Sequence, residues 1–182
     1  AGLGGRYDAT NVLGADVVVL TNVGLEHTRW LGPTIADIAG EKLAVVKPGA
    51  TLVLGDCAPE VAALAEQTGA TIARPQPLDA DVPGYQRENL AAAAAAAQAV
   101  LGAPLRTVPS DLSVPGRLQV VDDAPLTILD GAHNAPGVAA LAASIPDGAV
   151  AVVSILDDKD AAGMLRALAP RLSAAVFTRA PN

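Results

Sequence analysis

Val17-Val18-Val19-Leu20-Thr21-Asn22-Val23-Gly24-Leu25-Glu26-His27 opens on an apolar run and ends on ionisable side chains. An apolar stretch of this length predicts a buried strand, Val17 to Val23, with His27 emerging where strand gives way to loop. In open α/β sheets that is where ligands bind. Downstream, Ile35 to Val46 has helical spacing, Thr51 to Leu54 reads as a strand, Ala58 to Thr68 as a helix and Ala70 to Ala73 as a short strand. The order is βαβαβ.

Residues 75–84 carry three prolines and no periodicity, so they read as a connector. Arg87 to Leu101 follows as a helix whose seven consecutive alanines predict close packing. A second series then begins. Leu118 to Val121 and Leu126 to Leu129 read as paired strands about an Asp122-Asp123 turn, Gly137 to Ser144 as a helix and Ala149 to Ile155 as a buried strand. Ala161 to Leu172 is a further helix and Ala174 to Thr178 a final strand. The expectation is two α/β units, 1–108 and 109–182, joined by a proline-rich link.

Composition narrows the function. With 182 residues and 51% hydrophobic content the chain can bury a real core, while aromatics at 2% and a net charge of −7 disfavour nucleic-acid binding. Cys57 is the single cysteine, which fits a reducing compartment, and no apolar run reaches the length of a membrane span. A cytoplasmic protein without membrane contact is expected. Ala1 is not a methionine and a glycine loop starts at once, so the chain reads as a piece of something longer.

Three segments suggest a phosphate-and-metal site: the loop Gly2 to Asn11, the turn holding His27, and Ile38-Ala39-Gly40-Glu41-Lys42. Gly2-Leu3-Gly4-Gly5 lacks the spacing of a dinucleotide fingerprint, and Asp8 or Thr10 could simply cap the next helix. His27 is a metal ligand or a loop histidine with a structural hydrogen bond. Lys42 is a site residue or an exposed helical lysine beside Glu41, and Lys47 reads as a solvated charge at a helix end. Asn89 heads a helix, Arg117 follows a Pro-Gly turn with a guanidinium suited to phosphate, and Asp130 ends a strand with His133 three residues on. Helix-start, surface and turn roles stand beside these.

Gly2 to Asn11, Gly24-Leu25-Glu26-His27-Thr28, Gly40-Glu41-Lys42, Gln86-Arg87-Glu88-Asn89, Pro115-Gly116-Arg117-Leu118, Asp130-Gly131-Ala132-His133-Asn134 and Asp158-Lys159-Asp160 occur in the order found in one family. The chain resembles the folylpolyglutamate and dihydrofolate synthases of the Mur ligase superfamily, nearly end to end. The resemblance implies an α/β fold: the latter part of a Mur-ligase-like central ATPase domain, then a Rossmann-like C-terminal domain, both truncated. It also implies an ATP-dependent ligase that joins L-glutamate to a folate or dihydropteroate carboxylate through an acyl phosphate.

By the same resemblance, His27 and a carbamate formed on Lys42 hold Mg²⁺, and Lys42 and His133 are catalytic. Carbamate formation needs the neutral amine, a form that burial or nearby positive charge favours. Asn89, Arg117 and Asp130 bind ATP, and Tyr7, Asp8 and Ala9 border the pterin substrate. Lys159 is a weaker candidate for the glutamate end. Three departures stand out: Glu26 where the family usually has Asp, a short connector, and no G-x-x-G-K-[ST] loop among these residues. Without that loop, the 182 residues alone are expected not to ligate. The other reading is a non-catalytic nucleotide- or folate-binding module.

Overall fold

The first sheet is parallel, with strands in the order β1 (Val17–Leu20), β2 (Thr51–Leu54) and β3 (Thr71–Ala73). It belongs to a computed structural model that describes residues 4–80, 82, 84–107 and 113–179. The expected βαβαβ order is present: α2 (Ile35–Leu43) lies between β1 and β2, and α3 (Pro59–Glu66) between β2 and β3. A one-turn helix, α1 (Thr28–Leu31), precedes α2. Strand β1 stops three residues before the expected Val23 because its partner is four residues long, with Val17 opposite Thr51 and Leu20 opposite Leu54.

Local chemistry sets the helix starts. The Thr34 hydroxyl accepts from the Asp37 N–H while the Asp37 carboxylate accepts from the Thr34 N–H, a reciprocal capping box. Pro59 opens α3, where its missing N–H costs nothing. The two helices bring Ala39, Leu43, Val61 and Ala65 against Leu20, Leu52 and Leu54 in one buried cluster. Here β1 departs from expectation: only Leu20 is buried, and Val19 is 41% exposed.

Helix α4 (Gln86–Leu101) carries the alanine run and buries one face through Leu90, Ala91, Ala92 and Ala94. The following strands, β4 (Gln119–Asp123) and β5 (Leu126–Leu129), form an antiparallel hairpin. Asp122 and Asp123 lie in β4 rather than in a turn. Ala124-Pro125 makes the turn, and Asp122 Oδ1 accepts from the Ala124 N–H there.

Helix α5 (Ala135–Ala142), strand β6 (Ala149–Val153), helix α6 (Ala161–Leu168) and strand β7 (Leu172–Phe177) complete the chain, with β6 and β7 parallel. Asn134 caps α5 and Asp160 caps α6, each accepting from the backbone N–H three residues on. Val138, Ala142, Met164 and Leu168 form the second core. Strand β6 is not fully buried: Val150 and Val152 are exposed while Ala151 and Val153 face that core.

The chain divides into two compact units, Ala1–Ala80 with Arg87–Pro109, and Asp81–Gln86 with Ser110–Asn182. The boundary expected at 108/109 lies outside the described residues, as do Gly2 and Leu3 of the opening loop. Among the described residues no helix is long and apolar enough to cross a membrane.

Candidate functional site

In the first unit the turn that holds His27 and the side chain of Lys42 come together beyond the end of β1. His27 sits at the start of α1 with φ of 50°, a left-handed conformation uncommon outside glycine. Its carbonyl accepts from the Trp30 and Leu31 N–H groups, while its imidazole makes no capping bond. The residue before it, Glu26, is ion-paired to Lys42 at 2.8 Å. Lys42 therefore reaches back from α2 to the His27 turn instead of pairing with Glu41. Its side chain is 17% exposed.

Glu41 instead holds the opening loop, through an ion pair with Arg6 at 3.3 Å. Gly5 is what permits this approach, since a methyl there would run into the Glu41 carbonyl. Asp8 caps the 3-10 turn Ala9–Val12 by accepting from the Thr10 N–H, so its carboxylate has a structural task. Tyr7, by contrast, is 94% exposed. Lys47 is not a solvated helix-end charge: it is part-buried and donates to Asn11 Oδ1. A cleft of about 420 Å³ lies beside these segments, lined by Thr10, Thr21, Asn22 and Lys42 with residues of β1.

Among the described residues no group of three or more His, Cys, Asp and Glu is placed to hold a metal ion. His27, with the neighbouring Glu26 carboxylate held by Lys42, would suit a hard cation whose shell is mostly phosphate oxygens and water. They do not make a closed cage.

The second unit assembles Arg117, Asp130 and His133. Asp130 Oδ1 accepts from the Ala132 N–H, and its Oδ2 accepts from the Leu118 N–H at 2.8 Å and from the Tyr85 hydroxyl. The Gly131 N–H donates to the Gly116 carbonyl, so the Gly116-Arg117 turn and the end of β5 are stitched together. The exposed guanidinium of Arg117 lies beside Gly131. His133 Nδ1 is 3.0 Å from the Gly131 carbonyl and must donate to it, because a carbonyl only accepts. In the neutral ring Nε2 then carries the lone pair. Lys159 pairs with Asp158 at 2.9 Å; Asn89 belongs to the first unit and lies exposed in the first turns of α4.

Tyr85 is absent from the candidates read in sequence and Gln86 stands there only as the first residue of the Asn89 motif, yet both reach this cluster, Gln86 by donating to the Arg117 carbonyl. Burial and the Asp130 carboxylate push the Tyr85 phenol up to about 12. Its ionisation is thus resisted by the fold. The stability this contributes is fully present below the ordinary phenol value near 10 and is lost as pH rises toward 12. Urea unfolding at graded alkaline pH should show that loss, and Tyr85→Phe should remove its Tyr85 component; an identical pH profile in the variant would contradict this assignment.

No protein-family model matches the chain. Its sequence is 31% identical, over 97% of the chain and 47% of the relative, to a dihydrofolate synthase/folylpolyglutamate synthase of Mycobacterium tuberculosis. The identity to the Escherichia coli enzyme of the same name is 33%, over 90% of the chain and 46% of the relative. The chain matches folylpolyglutamate and dihydrofolate synthases in both sequence and fold. The M. tuberculosis folylpolyglutamate synthase complexed with ADP and AMPPCP superposes with a TM-score of 0.85 at 30% identity, covering 98% of this chain and 51% of that one. A folylpolyglutamate synthase complexed with AMPPCP and folate gives 0.84 at 28% identity, over 99% and 55%. The chain spans about half the length of these synthases.

Proposed function

We propose that this chain carries part of an ATP-dependent ligase that joins L-glutamate to a folate or dihydropteroate carboxylate in the cytoplasm. The observation that supports it most is the match to folylpolyglutamate and dihydrofolate synthases over nearly the whole chain, with one cluster of polar residues in each unit. The first unit is the latter part of a central ATPase domain. The second is part of the C-terminal ligase domain.

A carboxylate is a poor electrophile, so its oxygen first attacks the γ-phosphorus of ATP and releases ADP. The glutamate amine then attacks the acyl carbon, a tetrahedral intermediate forms, and phosphate departs as the nitrogen loses a proton. Arg117 clamps phosphate with its planar fork, His133 offers Nε2 beside it, Asp130 accepts from ribose hydroxyls and Asn89 reads adenine. Tyr7, Asp8 and Ala9 border the pterin.

His27 and a carbamate on Lys42 would hold Mg²⁺, which supplies charge neutralisation as carboxylate and phosphate approach. Capping Lys42 with carbon dioxide turns its attraction to Glu26 into repulsion between two anions. A cation between them relieves that repulsion.

The chain has no G-x-x-G-K-[ST] loop, so the purified 182 residues should form no glutamyl amide. A fusion placing them behind the preceding part of the E. coli relative should form it. Ligation by the chain alone would refute this assignment, as would a fusion that binds ATP and forms no amide.

A further inference from the structure

Gly84 closes the connector, Tyr85 and Gln86 follow it, and all three belong to the second unit and contact its later residues. Gly84 has φ of 53°, and a methyl there would meet the Ser144 side chain and come within 3.1 Å of Leu118. That close approach delivers the Tyr85 hydroxyl to Asp130 Oδ2, the oxygen that also accepts from the Leu118 N–H. Leu118 is buried and left-handed at φ of 46°, a conformation a leucine adopts only when its surroundings impose it. Three further bonds hold the same turn: Gly116 N–H to Gln119 Oε1, Gly131 N–H to the Gly116 carbonyl, and Gln86 Nε2 to the Arg117 carbonyl.

We propose that Tyr85 is a positioning residue for the phosphate-facing turn: by fixing the Asp130 carboxylate it holds Leu118 in its left-handed state and so aims the Arg117 guanidinium along Gly131. The proposal rests on the reading of Arg117 as a phosphate clamp. Tyr85 acts through Asp130 and the turn rather than on the phosphate. Without its hydroxyl, Asp130 keeps two backbone donors but loses the side chain that ties the connector to the turn, and Arg117 is left to wander. Affinity should then fall most for ligands that carry phosphate, and less for those that meet only Asp130 through a ribose.

The test uses this chain with ADP and adenosine as probes, titrated calorimetrically against wild type, Tyr85→Phe, Arg117→Ala and the double variant. Loss of one hydrogen bond to a charged group corresponds to about a tenfold fall in ADP affinity for Tyr85→Phe. Adenosine affinity should fall less than ADP affinity, since its ribose meets only Asp130, and the double variant should lose less ADP affinity than the two single losses combined, because both act on one group. Amide hydrogen exchange at residues 116–118 and 131–132 should quicken in Tyr85→Phe.

Arg117→Ala weakening ADP while Tyr85→Phe leaves it unchanged overturns the positioning role. Equal loss of ADP and adenosine in Tyr85→Phe also overturns it. Failure of wild type to bind ADP, or of Arg117→Ala to weaken it, counts against the phosphate-clamp reading itself. Exchange then decides the positioning role: unchanged rates overturn it, and faster rates support it.

Discussion

Lys42→Ala, introduced into the fusion that supplies the preceding part of a relative, is expected to lower glutamate ligation by roughly 10²- to 10³-fold, the usual loss when a charge-stabilising group leaves an active site. The expectation rests on where Lys42 lies. It projects from α2, is 17% exposed, and meets Glu26, the residue before His27, at 2.8 Å. Lys42→Arg separates two roles for the side chain. Arginine keeps a cation against Glu26 but forms no carbamate, so it should be as inactive as alanine while folding normally. An active Lys42→Arg enzyme would show that the ion pair alone suffices, and the carbamate would be discarded.

Leu52→Ala should destabilise the first unit by about 2–5 kcal/mol, the range for emptying a well-packed leucine site. Leu52 is fully buried in the central strand, with Val18 on one side and Ile72 on the other in register. Its side chain belongs to the cluster that joins α2 and α3 to the sheet. Because a whole domain is stable by only about 5–15 kcal/mol, this one substitution removes a large share. Urea denaturation followed by circular dichroism measures it; a loss under about 1 kcal/mol would mean that the site collapses around the gap.

The elements easiest to read were those whose signals are local. Thr51 to Leu54 is a strand to the residue, and the starts of α4 and α6 follow their patterns within a residue. Strand length in β1 was not legible, because it depends on a partner more than thirty residues away. Two aspartates resemble a turn in sequence, whereas Ala124-Pro125, with the Asp122 carboxylate accepting from the Ala124 N–H, makes the actual one.

An apolar run also does not say which of its faces is covered. In β6 the alternation of exposed Val150 and Val152 with the residues between them is invisible in Ala149-Val150-Ala151-Val152-Val153.

For the site the division is similar. His27, Lys42, Arg117, Asp130 and His133 could be named because they sit in recognisable short motifs. Tyr85 could not, since its partner is 45 residues away and a tyrosine just past a proline-rich connector carries no local signal. Gly84 just ahead of it was the available hint, as a glycine there marks a close approach. The reach of Lys42 to Glu26 likewise depends on how α2 lies against the exit of β1, which no spacing rule specifies.

On the proposed function, these residues serve a reaction in which ATP cleavage is coupled to amide formation. The most direct measurement is ADP release by the fusion, followed with ATP alone, with each co-substrate singly, and with L-glutamate and dihydropteroate or folate together. Sustained release only with both present, one ADP for each glutamyl amide formed, is the predicted result. ADP release that ignores glutamate and the pterin would contradict it.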